Sequence, residues 1–177
     1  MRQRIVVGVS GSTGSLAALH RAVIEAQERD AALCAVLAWQ LPGGGLGSRT
    51  VHGPDLLREC EEAAVGELCA VLSGAFAVAK PCVPLSALAM RGEPGAVLVE
   101  AAESTDDLLV VGTGTRGRWL PGLRAPAARY CLTHAVCPVL VVPPNPLEAE
   151  LAAVRGKPRS VPWLRTGHAQ HPHDGGG

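Results

Sequence analysis

The chain has 177 residues, a length that favours a single domain. Apolar residues make up 47% of it, enough for a hydrophobic core, and aromatic residues only 3%, so that core must be aliphatic. Sixteen basic and sixteen acidic residues balance, which gives no support for nucleic acid or acidic membrane as a partner. No apolar run reaches the roughly 20 residues that span a bilayer, and no signal peptide is evident, so we expect a cytoplasmic protein.

Six cysteines are scattered along the chain without a C-x-x-C pair, at positions 34, 60, 69, 82, 131 and 137. The pattern favours small buried apolar side chains in a reducing compartment. Zinc binding or a redox role is the alternative.

Apolar runs that end in glycine or proline alternate with segments of helical spacing. A first buried strand is predicted at residues 4–9, and the serines that follow it can cap a helix. A second strand is predicted at residues 33–39. A glycine-rich loop at residues 40–54 then leads to a long helix capped by Asp55.

The second half of the chain repeats this alternation. A third strand is predicted at residues 83–90, and a short helix runs from Pro94 to about Ser104. A fourth strand at residues 108–111 precedes a loop and a helix, and a fifth strand follows at residues 139–142.

Strands that alternate with helices predict an α/β fold, a five-stranded parallel sheet with helices on both faces. In such sheets ligands bind at the carboxyl ends of the strands, where the strand order reverses. The loops after the first and fourth strands are therefore the expected binding loops. After Pro143 the apolar periodicity stops, so we expect a domain at residues 1–143 and a mostly disordered tail at residues 144–177.

The loop after the fourth strand carries the strongest signal, Gly112-x-Gly114-x-x-Gly117. Glycines there let backbone N–H groups approach a phosphate. Residues 108–147 contain no acidic side chain but several arginines, which also favours an anion. The alternative is a plain turn with solvated arginines, since this motif alone is weak.

Two related nucleotide sites do not fit the sequence. A dinucleotide site of the Rossmann type needs an acidic residue about 20 positions after the glycines. Residues 108–147 contain no acidic residue, so the sequence does not fit such a site. A P-loop needs G-K-[ST], which the chain lacks. Catalysis is also hard to place, because His20, His52 and His134 have no visible nucleophile partner and no G-x-S-x-G elbow is present.

Several segments, in the same order and at the same spacing, resemble the universal stress protein family. Residues 4–12, R-I-V-V-G-V-S-G-S, resemble its opening V-G-V-D-G-S, and residues 92–94 resemble the turn before its third helix. The stretch from residue 108 through H-A-V-C-P-V-L-V-V at residues 134–142 resembles its C-terminal signature. The resemblance covers residues 2–143 and is most like actinobacterial versions.

The resemblance implies a Rossmann-like sheet of the adenine nucleotide alpha hydrolase type and a cytoplasmic stress-response role. It also implies a homodimer through the last strand, formed by Val139, Leu140, Val141 and Val142. Some members bind ATP through G-2x-G-9x-G-[ST]. Carried onto this chain, a nucleotide would contact the loops after the first and fourth strands, at Val9, Ser10, Val111, Gly112, Gly114, Thr115, Gly117 and Ala125.

This chain departs from the ATP-binding pattern at three places. Thr115 stands at the second glycine unless the motif shifts locally, and Ala125-Pro126 replaces the final G-[ST] pair. Proline offers neither an N–H nor a hydroxyl to a phosphate. Ser10 replaces the family's aspartate, and losing a charge-assisted hydrogen bond costs about 1.5–3 kcal/mol. We therefore expect ATP or AMP to bind weakly or not at all.

The first expectation is a non-catalytic regulatory module with a weakened adenine-nucleotide site. The second is a ligand-free dimeric scaffold that has lost ATP binding. A weak ATPase ranks third, because the predicted loops contain no general base and no carboxylate for Mg²⁺. The sequence does not identify a protein partner.

Overall fold

The computed structural model describes residues 3–41, 54–113 and 126–144. Five strands and four helices alternate in these ranges: β1 (Arg4–Gly8), α1 (Thr13–Glu28), β2 (Ala32–Trp39), α2 (Pro54–Ala75), β3 (Leu85–Arg91), α3 (Pro94–Ala101), β4 (Leu108–Gly112), α4 (Pro126–His134) and β5 (Val139–Val142). The predicted tail and most of the glycine-rich loop lie outside the described residues.

The strands form one parallel sheet in the order β3-β2-β1-β4-β5. The predicted five-stranded parallel sheet is confirmed. β1 is central, and its Val6 lies opposite Cys34 of β2 and Leu109 of β4. The chain crosses from one side of β1 to the other between β3 and β4.

Both faces of the sheet are buried, which explains why the central strands are uninterrupted apolar runs. Ile5 and Val7 belong to a core that includes buried residues of α1 and α2. Val6, on the opposite face, belongs to a second core that includes residues of α3 and α4. The helices α1 and α2 therefore cover one face, and α3 and α4 cover the other.

The third strand, β3, starts at Leu85, two residues after the predicted start, and ends at Arg91, one residue after the predicted end. It lies at the edge of the sheet, and much of it is exposed. The long helix starts at Pro54, so Asp55 lies in its first turn rather than at its cap.

The helix α3 ends at Ala101, three residues before the predicted end. A half-buried ion pair contacts the end of this helix. The Arg4 guanidinium donates to Asp107 at 2.6 and 3.2 Å, and its Nη2 also donates to the carbonyl of Ala101 at 3.4 Å. The hydrogen bond to Asp107 raises the pKa of Arg4. This contact joins the start of β1 to the residue before β4 and satisfies a carbonyl at the end of α3.

Candidate functional site

The strand order brings the carboxyl ends of β1 and β4 side by side, with Val7 opposite Val110. From β1 the chain turns onto the face covered by α1, and from β4 it continues to α4 on the opposite face. Chains that leave neighbouring strands in opposite directions open a crevice between them. The predicted site residues Val9 and Ser10 lie at one side of this crevice, and Val111 and Gly112 lie at the other.

The loop after β1 is held by backbone contacts. Val9 is 4% exposed and donates its N–H to the Val36 carbonyl at 2.8 Å. The next residue, Ser10, is exposed, and its N–H donates to Ser15 Oγ at 3.1 Å. Its hydroxyl lies 3.1 Å from Ser12 Oγ. Position 10 therefore presents a neutral hydroxyl at the crevice.

The first turn of α1 is capped by Ser12. Its Oγ accepts the N–H of Ser15 at 3.2 Å, and its carbonyl accepts the Ser15 hydroxyl at 2.9 Å. Thr13 Oγ1 is buried and has no hydrogen-bond partner within the described ranges. The sequence predicted Ser15 only as one of the serines that can cap the helix, whereas in the structure its side chain bonds to both Ser10 and Ser12. A serine three positions after the cap was the available signal for this role.

Gly112 packs directly against that first turn. A Cβ added at Gly112 would lie 2.3 Å from the Gly14 carbonyl oxygen and 3.0 Å from the Ser15 nitrogen. A side chain at this position cannot fit without moving the α1 backbone. The glycine is therefore required by the close approach of β4 to α1, whether or not a phosphate binds beside it.

The structure thus brings four predicted residues to one edge of the sheet: Val9, Ser10, Val111 and Gly112. The other four, Gly114, Thr115, Gly117 and Ala125, lie outside the described residues. Pro126 is the first residue of α4, where a missing N–H is tolerated.

Hydroxyl groups dominate the described part of this edge. Residues 9–16 and 111–113 carry serine and threonine side chains but no charged side chain. Hydroxyls and free N–H groups at a helix start can bind a phosphate, but they are poor ligands for Mg²⁺. None of the side chains at residues 9–16 and 111–113 is a general base.

The two described histidines lie on exposed helix surfaces. His134 stacks on Tyr130 with ring centroids 4.0 Å apart, and its Nδ1 lies 2.9 Å from the Tyr130 carbonyl. The other, His20, is exposed on α1. His52 lies outside the described residues.

The cysteines divide into two groups. Cys34, Cys131 and Cys137 are buried, as predicted for the cysteines in general. The prediction is wrong for the other three: Cys60 is half-buried, and Cys69 and Cys82 are exposed. Cys60 lies at the border of the buried face of α2, four residues before the buried Ala64, Cys69 lies on the exposed side of that helix, and Cys82 lies just before the edge strand β3.

Burial raises the pKa of the Cys131 thiol to about 11 and also raises the pKa of Cys137. Both thiols therefore stay protonated near neutral pH and are poor nucleophiles. The residues that the structure describes contain no group of three His, Cys, Asp or Glu side chains that could hold a metal ion.

An open cavity of about 670 Å³ lies at the opposite, amino edge of the sheet, beside Gln3, Arg29 and Asp107. Two of its charged groups, Asp107 and Arg29, already have partners. Asp107 pairs with Arg4, and Arg29 donates to Glu25 at 2.9 and 3.1 Å. We therefore assign the candidate site to the carboxyl edge, where the strand order reverses.

Comparison with known proteins agrees with this geometry. The model of the universal stress protein family matches residues 1–143. The chain belongs to the universal stress protein family. Among curated proteins, none matches the sequence significantly.

Solved structures of universal stress proteins share the fold. UspA from Lactobacillus plantarum is 23% identical, with a TM-score of 0.59, and the match covers 80% of this chain and 97% of that one. A universal stress protein from Archaeoglobus fulgidus is also 23% identical, with a TM-score of 0.57 and coverage of 80% and 99%. A universal stress protein in complex with cAMP is 26% identical, with a TM-score of 0.57 and coverage of 81% and 99%.

Within the described ranges, every helix is too short or too polar to cross a bilayer.

Proposed function

We propose that this universal stress protein is a non-catalytic regulatory module that binds an adenine nucleotide weakly at the carboxyl edge of its sheet. The observation that carries the proposal is the juxtaposition of the β1 and β4 loops on the first turn of α1, with Gly112 against Gly14. The similar universal stress protein that was solved with cAMP supports an adenine nucleotide as the ligand class.

The absence of charge at position 10 supports weak rather than tight binding. Ser10 faces the crevice with a hydroxyl that already contacts another hydroxyl, that of Ser12. An aspartate there would accept charge-assisted hydrogen bonds, which are about twice as strong as neutral ones. We place the phosphates toward Gly114, Gly117 and Ala125, as the family motif implies.

A thermal-shift titration with AMP, cAMP and ATP tests the proposal, with GMP as the control for the base. A ligand at about ten times its Kd stabilises the folded state by about 1.4 kcal/mol, which raises Tm by about 3–5 °C in a chain of this size. We expect such a rise for at least one adenine nucleotide at millimolar concentration. If no adenine nucleotide changes Tm, the ligand-free scaffold is the better description.

A designed variant tests why binding is weak. We expect Ser10→Asp combined with Ala125→Gly and Pro126→Ser to raise ATP affinity about 10- to 100-fold, because it restores a carboxylate, an N–H and a hydroxyl. Isothermal titration calorimetry measures the change. Thr105→Asp adds the same charge at the amino edge and should leave the affinity unchanged. An unchanged affinity in the triple variant would show that these three positions do not limit binding.

We further propose that two copies pair through β5. This strand forms the other edge of the sheet, and it has no charged side chain. Just before it, Leu132 and Val136 are 62% and 59% exposed. Exposed apolar side chains beside an uncharged edge strand are features of an interface between copies.

A further inference from the structure

The outer face of α2 is acidic along its first half. Asp55, Glu59 and Glu62 lie on one exposed ridge at helical spacing. The helix carries five carboxylates and one basic side chain, Arg58, which lies 3.8 Å from Glu62. Within the described part of the chain, this ridge faces no other element.

The second half of the same face is made of small residues. A Cβ added at Gly66, which follows Glu62 at i+4, would meet nothing within 4 Å. Its neighbour in sequence, Val65, is 45% exposed. A glycine inside an exposed helix costs about 1 kcal/mol relative to alanine, and no contact in the described structure offsets that cost. An extended segment with a large apolar side chain could lie close to the helix backbone here.

The chain itself contains a segment of complementary charge. Residues 155–165, R-G-K-P-R-S-V-P-W-L-R, carry four basic side chains, and no acidic residue occurs between positions 151 and 173. The segment also contains Val161, Trp163 and Leu164. Its basic side chains complement the acidic first half of the α2 face. Its large apolar side chains can pack on the small residues of the second half.

We propose that residues 155–165 dock on the outer face of α2 of the same chain. The basic side chains would pair with Asp55, Glu59 and Glu62, and Trp163 would lie over Gly66 beside Val65. The tether is long enough, because ten residues between Pro144 and Arg155 can reach about 33 Å. The sheet from β5 to β3 measures about 19 Å across at ordinary strand spacing.

Zero-length cross-linking of the full chain tests the docking. The chain has two lysines, Lys80 and Lys157, so carbodiimide links from the tail start at a single side-chain amine. We expect Lys157 to link mainly to Asp55, Glu59 or Glu62, and the links to disappear in 1 M salt, where the Debye length falls to about 3 Å. Links spread evenly over Glu28, Glu100 and the other exposed carboxylates would overturn the proposal.

Cross-linking a mixture of ¹⁵N-labelled and unlabelled protein shows whether the docked segment belongs to the same copy as α2 or to a second copy. Links between ¹⁵N-labelled and unlabelled peptides in a mixed sample would assign the docked segment to a second copy and contradict docking within one chain. We expect links within one isotope only.

Trypsin sensitivity provides a second readout with a matched control. Trypsin cuts after Arg159 and Arg165, and docking should protect both bonds. We expect Glu59→Gln with Glu62→Gln to speed these cuts about three- to tenfold, because two surface ion pairs are lost while the helix keeps good helix formers. Glu28→Gln with Glu100→Gln removes the same charge elsewhere and should change nothing. Equal rates in both double variants would refute the docking.

Discussion

At the scale of single residues, Gly112 is the most constrained position described at the carboxyl edge. We expect Gly112→Ala to lower the free energy of unfolding by about 1–3 kcal/mol or more, because the new methyl group meets the backbone of α1 rather than a flexible side chain. Chemical denaturation measures the loss.

Gly74→Ala is the matched control, since a methyl group there meets nothing within 4 Å. It should raise the stability by up to about 1 kcal/mol through helix propensity. Equal stability of Gly112→Ala and the unchanged protein would show that α1 can move away from β4 at little cost.

The same glycine shows how far residue patterns predict the site. The motif around Gly112 indicated a phosphate loop, and the structure reveals a packing reason for its first glycine. The two reasons coincide, because the residue that lets β4 approach α1 also lies at the crevice. Spacing alone cannot separate them, since the neighbour that excludes a side chain, Gly14, lies about a hundred positions away in sequence.

At the scale of elements, α1 contains a buried carboxylate that couples its stability to pH. Glu25 is 4% exposed and accepts hydrogen bonds from Arg21, at 2.9 Å to its Nε, and from Arg29. These bonds, that of Arg21 first, lower the pKa of Glu25 below its usual value.

Because the pKa is lower in the folded state, the contribution of Glu25 is complete above the unfolded value of about 4.3 and is lost as pH falls through the folded value. We expect Glu25→Gln to reduce stability at pH 7 by about 1 kcal/mol, given that both arginines are about half exposed. It should also flatten the dependence on pH below about 4.

Urea unfolding at several pH values measures both effects. Glu28→Gln, at an exposed position of the same helix, should leave the acid dependence unchanged. A Glu25→Gln variant with the original slope below pH 4 would show that other carboxylates control acid unfolding.

Strands are predicted best where the chain has an unbroken apolar run. The central strands β1 and β4 lie within one residue of their predicted bounds, because a strand buried on both faces leaves such a run. The edge strand β5, also uninterrupted, has its predicted bounds, whereas the more exposed edge strand β3 is shifted. The last residue of α3 accepts a hydrogen bond from Arg4, almost a hundred positions earlier, and a local pattern cannot show that contact.

At the scale of the whole molecule, the proposed pairing through β5 depends on which backbone groups of that strand point away from the sheet. The carbonyls of Pro138 and Val142 accept hydrogen bonds from Leu109 and Thr113 next to β4, each at 3.0 Å. By strand alternation the N–H and C=O groups of Val139 and Val141 point away from the sheet. A partner strand would therefore bond to these two residues.

Because the backbone groups of Val141 point outward, a substitution there can disrupt the proposed interface and leave the pairing of β5 with β4 intact. Proline at position 141 deletes an outward N–H and spares the ladder to β4, and edge strands tolerate proline on their outer side. We expect Val141→Pro to be a monomer in light scattering and Val141→Ala to remain a dimer, both with the circular dichroism of the unchanged protein. A folded Val141→Pro variant that keeps the dimer mass would place the contact between copies elsewhere than at the β5 edge.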